Sequence, residues 1–191
     1  IPVGKWIIQN AFSMCTECRK YYPEFRVSIN LSYVQILKSP LMMELKQIIE
    51  HSGISCSGII VELTESGYLE GTPAVRSVWN DMKQLRIQIA LDDFGTGYSN
   101  LMNISNLEPD IVKLDRGFTL KALSRSYEYQ LMQYVIEMVH KLNQYVCVEG
   151  VETKEDLEKI KALGPDLIQG YYYSKPCSRD EFLKKFFDYS E

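Results

Sequence analysis

Acidic and amide side chains recur along the chain, each directly after a short apolar run. A carboxylate that ends a segment of Val, Ile and Leu is costly to bury alone, because an unpaired charge in a low dielectric loses much of its solvation. We therefore expect a cation or a hydrogen-bonding partner to compensate it. The polar residues at these positions are Asn30, Glu62, Asp92 with Asp93, Lys113 with Asp115, Glu149 and Gln169.

A divalent metal is the simplest cation for such a set. Oxygen donors without histidine favour Mg²⁺ or Mn²⁺ over Zn²⁺, and Ca²⁺ stays an alternative. Two adjacent aspartates allow one carboxylate to bridge a metal pair about 3.5–4 Å apart, an arrangement suited to phosphoester hydrolysis. Taken singly, each position favours a solvated strand end or a carboxylate paired with another such group and with Lys113, because polar residues often end strands. All six positions together favour a metal site instead. The predicted oxygen donors are Asn30, Glu62, Asp92, Asp93 and Glu149.

These residues need a scaffold that brings strand ends together. Alternation of β-type apolar runs with helical patterns predicts an α/β fold whose parallel sheet is covered on both faces. The carboxyl ends of such strands meet at one face, where barrel enzymes build their sites. The 191 residues are fewer than the ~250 of a typical eight-unit barrel. The predicted strands are 26–31, 59–63, 87–92, 111–114, 145–149 and 167–173.

Helices are predicted from apolar residues at helical spacing and from capping signals. Thr72 and Pro73 begin one helix, while Thr153 with Asp156 and Ser178 with Glu181 have the spacing of capping boxes. Two buried stripes are expected to cover the sheet. They comprise Val75, Val78, Trp79, Met82 and Leu85 in the first helix, and Leu131, Tyr134, Val135, Met138, Val139 and Leu142 in a later one.

Composition excludes several classes of protein. A hydrophobic fraction of 46% excludes a disordered chain, and a net charge of −4 without a basic cluster argues against binding duplex nucleic acid. No apolar run approaches the ~20 residues of a membrane helix. Five cysteines without a signal peptide indicate a reduced, cytoplasmic setting, and Cys15 and Cys18 are interpreted as packed thiols.

The sequence motifs, taken in their order along the chain, are more informative about function than the composition is. They are Asn30-Leu31-Ser32 followed by Gln35, Glu62-Leu63-Thr64-Glu65-Ser66, Asp92-Asp93-Phe94-Gly95-Thr96-Gly97-Tyr98-Ser99, Lys113-Leu114-Asp115-Arg116, Glu149-Gly150-Val151-Glu152 and Gln169-Gly170-Tyr171. In this order they resemble the signature motifs of the EAL family of cyclic-di-GMP phosphodiesterases. The resemblance covers nearly the whole chain. It implies that residues 1–191 are part of a modified TIM-type (β/α)8 barrel, with about the first two strands absent.

The resemblance also implies an activity and residue roles. The family hydrolyses cyclic di-GMP to linear pGpG with two Mg²⁺ or Mn²⁺ ions. The first ion would be bound by Asn30, Glu62 and Asp92, and the second by Asp92 and Asp93. The residues implied to act around the attacking water are Lys113, Glu149 and Gln169. Those implied to brace loops or support the site are Glu65, Asp115 and Glu152, and those implied to contact the substrate are Gly95, Thr96, Gly97 and Tyr98.

One family motif is missing from the sequence. The Glu-x-Leu motif, whose glutamate is also a metal ligand in the family, should precede Ile1, so the chain is interpreted as truncated at its N-terminus. We expect the isolated chain to be poorly active. Family members are often preceded by a sensor or diguanylate cyclase domain, and often form homodimers. Two alternatives stay open: a catalytically silent receptor that binds cyclic di-GMP, and an unrelated metal-dependent barrel lyase.

Overall fold

The computed structural model describes residues 2–32, 35–36, 41–64, 73–96, 104 and 107–187. Strands and helices alternate in these residues. The strands are β1 (Val27–Asn30), β2 (Ile59–Thr64), β3 (Gln88–Phe94), β4 (Ile111–Leu114), β5 (Tyr145–Glu149) and β6 (Leu167–Gln169). The helices are α1 (Pro2–Cys18), α2 (Leu41–Ser52), α3 (Pro73–Gln84), α4 (Arg116–Ser124), α5 (Ser126–Lys141), α6 (Lys154–Lys161) and α7 (Arg179–Phe187).

The described residues divide into two compact units. The first contains residues up to 63, residues 73–89 and residues 177–187. In this unit β1 and β2 pair in parallel, with Val27 opposite Ile59. Helix α1 packs against β1 and α2, and α7 returns to pack against α1. The core of this unit is therefore built between one parallel strand pair and the helices around it.

Two buried thiols belong to the core of the first unit. Cys15 and Cys18 lie on α1 with no exposed surface. Burial raises the pKa of Cys15 and raises that of Cys18 to about 11, so both are protonated at neutral pH. The Cys15 thiol also donates to the carbonyl oxygen of Gly58 at 3.5 Å. Both side chains are packed thiols, as interpreted from the sequence.

The second unit contains residue 64, residues 90–96, residue 104 and residues 107–176. In it β4 pairs in parallel with β3 on one side and β5 on the other, and β5 pairs in parallel with β6. Helices α4 and α5 pack against each other and against β5, and α6 packs against α4. All four residues of β4 are buried. A fully buried central strand of this kind is typical of a parallel sheet covered on both faces.

The predicted strands agree closely with the observed ones. All six occur at the predicted places, and 111–114 and 145–149 have the predicted bounds. The last one is shorter than predicted: β6 ends at Gln169, and residues 171–173 form a turn. Three consecutive tyrosines gave that segment a β-type composition, but its backbone turns back toward its own Gly170 carbonyl.

The predicted helix stripes agree in part. In α3 the residues Val75, Trp79 and Met82 are buried. In α5 Val139 is buried as predicted, but the other buried residues are Met132 and Ile136, which the predicted stripe did not include. Leu131, Tyr134 and Leu142 are exposed instead.

The capping boxes and the membrane prediction can also be compared with the structure. Both predicted capping boxes form, at the starts of α6 and α7. Among the described residues, no helix combines the length and apolar character needed to cross a membrane.

Candidate active site

A buried lysine joins two carboxylates at the ends of β3, β4 and β5 in the second unit. Lys113 Nζ lies 3.0 Å from Asp92 Oδ1 and 2.7 Å from Glu149 Oε1. Lys113 is only 5% exposed, so the charges attract one another in a low dielectric. Each carboxylate comes from a strand next to β4, as expected for parallel strands that end at one edge. The second unit therefore brings Asp92, Lys113 and Glu149 together.

A bulge interrupts β3 where the two aspartates stand. Leu91 pairs with Val112 and Phe94 with Leu114, so Asp92 and Asp93 together oppose Lys113. Asp93 has φ +62°, a conformation that non-glycine residues rarely adopt and that clusters at functional sites. In a regular strand, adjacent side chains point to opposite faces. At the bulge, the two adjacent carboxylates need not point to opposite faces of the sheet. Binding a shared metal pair would require them to lie on the same side.

Gln169 extends the same row of strand ends. It lies directly opposite Glu149 in the pairing of β5 with β6, and it is exposed. Because Lys113 is paired with Cys147, two residues before Glu149, the period of two places Lys113, Glu149 and Gln169 on one face of the sheet. The three residues predicted to act around water thus occupy neighbouring strand ends in one unit.

Asp115 and Glu152 each fasten a loop that follows a strand. Asp115 is the N-cap of α4, where its Oδ1 accepts a hydrogen bond from the backbone N–H of Gly117 at 2.7 Å. Glu152 accepts from the guanidinium of Arg116 at 2.7 Å. This hydrogen bond is the main reason that the pKa of Arg116 is raised. Arg116 was not among the predicted site residues, although its place after Asp115 at a strand end was a signal.

The glycine-containing loop after β3 is described only in part. Gly95 has φ +105°, and a Cβ at this position would lie 3.0 Å from the Phe118 ring, so both conformation and space require glycine. The Phe94 carbonyl accepts from the backbone N–H of Asp115 at 3.0 Å, which ties the loop start to the end of β4. Thr96 is exposed. The predicted Glu65, Gly97 and Tyr98 lie outside the described residues.

In the first unit, Asn30 ends β1, and Glu62 lies two residues before the end of the adjacent strand β2. They are directly opposite each other in the pairing of β1 with β2, so both side chains are on one face of the sheet. Glu62 is buried, whereas Asn30 is exposed. The Ser28 hydroxyl donates a hydrogen bond to Glu62 Oε1. Sequence reasoning missed Ser28, although its position two residues before Asn30 puts it on the same face of β1.

The donor chemistry fits a hard divalent cation. Asn30 and Glu62 in one unit, and Asp92, Asp93 and Glu149 in the other, offer only amide and carboxylate oxygens. Among the described residues, no three His, Cys, Asp or Glu side chains are grouped closely enough to hold a metal ion. In the second unit the ammonium group of Lys113 lies between Asp92 and Glu149. The residue types therefore suit Mg²⁺ or Mn²⁺, and the cation that contacts these two carboxylates in the structure is Lys113.

Comparison with known proteins identifies the family to which this chain belongs. Residues 1–176 match the EAL domain. The chain belongs to the EAL domain family. The cyclic di-GMP phosphodiesterase PdeF of Escherichia coli is 30% identical over 174 residues, which are 91% of this chain and 23% of PdeF. The membership confirms the resemblance seen in the ordered motifs, and it makes the alternative of an unrelated lyase wrong.

Solved structures support the same assignment. The EAL enzyme Bd1971, in a form bound to cAMP and cyclic di-GMP, superposes with a TM-score of 0.90 at 30% identity. The match covers 96% of this chain and 51% of Bd1971. BlrP1 of Klebsiella pneumoniae, solved as a calcium and cyclic-di-GMP complex, has the same fold, with a TM-score of 0.84 at 24% identity over 92% of this chain and 44% of BlrP1. The predicted TIM-type α/β fold of the EAL domain is thereby confirmed.

The EAL chain spans only part of these relatives. It covers about a quarter of the length of PdeF and about half of Bd1971.

Proposed function

We propose that the protein containing this EAL chain hydrolyses cyclic di-GMP to linear pGpG. The observation that carries the proposal is the buried contact of Lys113 with Asp92 and Glu149 at three adjacent strand ends. Relatives named as cyclic di-GMP phosphodiesterases at about 30% identity support the substrate and the reaction class. Together they favour a phosphodiesterase over a protein that uses the fold for another purpose.

The metal ligands in this proposal come from four strand-end positions. Asn30, Glu62 and Asp92 would bind one ion, and Asp92 with Asp93 the second. Two Mg²⁺ or Mn²⁺ ions supply Lewis-acid stabilisation of phosphate oxygens and lower the pKa of a bound water. Support comes from the oxygen-only donor set and from the bulge that puts Asp92 and Asp93 opposite a single residue.

Lys113 and its neighbours would act on the reacting atoms. Negative charge grows on the phosphoryl oxygens as water attacks, and a buried ammonium stabilises such charge better than an exposed one. Lys113 would provide this stabilisation while Glu149 and Gln169 hold the attacking water by hydrogen bonds. The water oxygen bonds to phosphorus and one P–O3′ bond breaks. A proton passes to the leaving 3′ oxygen, so the product has a 5′ phosphate and a free 3′ hydroxyl.

A catalytically silent receptor for cyclic di-GMP is the second candidate. One observation favours it: Lys113 forms ion pairs with both Asp92 and Glu149, so a cation of the chain itself can compensate these two carboxylates. Such a receptor would bind the dinucleotide without cleaving it. The same assay can separate the two functions, because binding and turnover are measured independently.

The decisive experiment compares the full-length protein with its Glu62→Gln variant. With Mn²⁺, wild type should convert cyclic di-GMP to pGpG, followed by chromatography and mass spectrometry, and EDTA should stop the reaction. Glu62→Gln keeps the shape of the side chain and its hydrogen bond from Ser28 but removes the charge of a metal ligand. Because changing a residue that only supports a metal ligand costs about 10–100-fold, loss of a ligand itself should lower the rate by at least about 100-fold.

A matched control and three outcomes make this assay decisive. The Glu155→Gln variant changes an exposed glutamate in the first turn of α6 and should keep the wild-type rate. Binding without turnover by wild type would favour the receptor. Neither binding nor turnover would contradict both functions. A fully active Glu62→Gln variant would contradict the proposed ligand set.

A further inference from the structure

A serine hydroxyl contacts one of the carboxylates that the proposed function assigns to a metal ion. Ser28 Oγ donates a hydrogen bond to Glu62 Oε1 within the first unit. Ser28 is exposed, whereas Glu62 is only 6% exposed. An ionised carboxylate has no proton to donate, so the hydroxyl proton points toward Glu62. The contact therefore has a defined direction, with Ser28 as the donor.

The pairing of β1 with β2 puts Ser28 beside two proposed metal ligands. Asn30 is directly opposite Glu62, and Ser28 is directly opposite Ile60. Residues two apart in a strand share a face, so Ser28, Asn30 and Glu62 lie on one face of the strand pair. Ser28 is the diagonal neighbour of Glu62, at a separation that a long side chain can span. The hydrogen bond shows that the glutamate side chain spans it.

The hydrogen bond selects one orientation of a flexible side chain. A free glutamate loses rotamer freedom when its carboxylate is fixed, and a side chain that is already fixed loses less when an ion binds. A hydroxyl carries no net charge, so this bond orients the carboxylate without neutralising it. It also occupies only one of about four lone-pair positions of the two carboxylate oxygens. Such a contact prepares a carboxylate to bind a cation.

Metal ligands in proteins are commonly held in place by hydrogen bonds from residues around them. We propose that Ser28 is a positioning residue for Glu62, whose carboxylate the hydroxyl holds in the orientation that binds the divalent ion. This inference rests on the proposed function. It adds to the proposed site a residue that acts on the metal only through Glu62.

The test is Mn²⁺ binding by the full-length protein and by its Ser28→Ala variant. Binding is followed by the loss of the electron paramagnetic resonance signal of free Mn²⁺, below the unfolding temperature of every variant. Loss of a residue that supports a metal ligand should weaken Mn²⁺ affinity by about 10–100-fold. Ser28→Thr keeps the hydroxyl on a β-branched side chain that suits a strand, and it should keep the wild-type affinity.

Thr16→Val is the matched control for loss of a hydroxyl. Thr16 lies on α1 in the same unit, and its hydroxyl donates to the Phe12 carbonyl at 2.9 Å. The variant removes this hydrogen bond without changing the contact of Ser28 with Glu62, so it should keep the wild-type Mn²⁺ affinity. Turnover gives a second measurement. Ser28→Ala should need more Mn²⁺ for half-maximal activity, and its rate should approach that of wild type at saturating Mn²⁺.

The outcomes separate this inference from the proposed function. Wild type that binds Mn²⁺ without cleaving cyclic di-GMP contradicts the proposed hydrolysis, and the Mn²⁺ affinities still decide the role of Ser28. Wild type that binds no Mn²⁺ contradicts both. Unchanged or tighter binding by Ser28→Ala contradicts the role of Ser28 alone. Equal weakening in Thr16→Val also contradicts it, because the stability of the unit would then be the cause. Weaker binding by Ser28→Ala, with recovery in Ser28→Thr, is the expected result.

Discussion

Two ion pairs connect the end of β4 with the end of β5, and they differ chiefly in burial. Lys113 with Glu149 and Arg116 with Glu152 both have an N–O distance of 2.7 Å. The side chains of the first pair are 6% and 17% exposed, and those of the second 57% and 38%. The two pairs therefore have equal N–O distances but differ in how much solvent reaches them. Water can replace a lost partner of the exposed pair, whereas the buried pair has no such substitute.

The largest effect should follow from removing the buried cation. Lys113→Met leaves Asp92 and Glu149 close together without their shared ammonium, and removing one partner of a buried ion pair costs about 3–5 kcal/mol. The free energy of unfolding, measured by urea titration of the full-length protein, should fall by this amount. Lys121→Met, which changes an exposed lysine of α4, should leave it unchanged.

Further substitutions in Lys113→Met can show whether this variant is destabilised by uncompensated carboxylate charge or by the lost packing of the lysine side chain. Replacing Asp92 by Asn and Glu149 by Gln removes the two carboxylates that Lys113 compensates. If uncompensated charge is the cause, these changes should recover part of the stability that Lys113→Met loses. A triple variant no more stable than Lys113→Met would instead indicate that the aliphatic part of the lysine is what matters.

A smaller effect is expected from removing a neutral hydrogen-bond donor to a buried carboxylate. Glu62 is buried like the second unit's pair, but Ser28 contacts it with a hydroxyl. Ser28→Ala should lower the free energy of unfolding by about 1.5–3 kcal/mol, the usual net value of a hydrogen bond to a charged group. Ser124→Ala removes an exposed hydroxyl that bonds only to carbonyls of its own helix and is the control. If Ser28→Ala lowered the free energy of unfolding as much as Lys113→Met, the hydroxyl would stabilise its buried carboxylate as strongly as the ammonium group does, and the prediction would be contradicted.

Much of the fold followed from the sequence because the strands are unusually clear. Short apolar runs that end in a polar residue predicted all six strands, and capping boxes predicted the starts of α6 and α7. The stripe of α5 was wrong in part: Val139 is buried as predicted, but Met132 and Ile136 are buried while Leu131 and Tyr134 are exposed. Leu131 and Met132 are both apolar, and periodicity cannot decide between two adjacent apolar rows. Packing of α5 against α4 and β5 makes that choice, and it depends on residues distant in sequence.

The site could be predicted as residue types and not as geometry. Asp92 and Asp93 were predicted as a pair, but the bulge depends on a φ of +62° and on the register against β4, which no local pattern records. Ser28 was missed because a lone serine in a strand has no motif. The pairing of Arg116 with Glu152 was missed for a related reason, since only the neighbouring strands bring the two loops together.

The smallest effect is expected at the exposed pair. Glu152→Gln removes the charge that Arg116 contacts but keeps a hydrogen-bond acceptor, and water solvates the guanidinium in either case. The urea midpoint should stay within the error of measurement. Any residual difference should vanish at ~1 M salt, where screening acts over about 3 Å. A destabilisation comparable to that of Lys113→Met would mean that geometry, rather than burial, sets the strength of both pairs, and the comparison between them would fail.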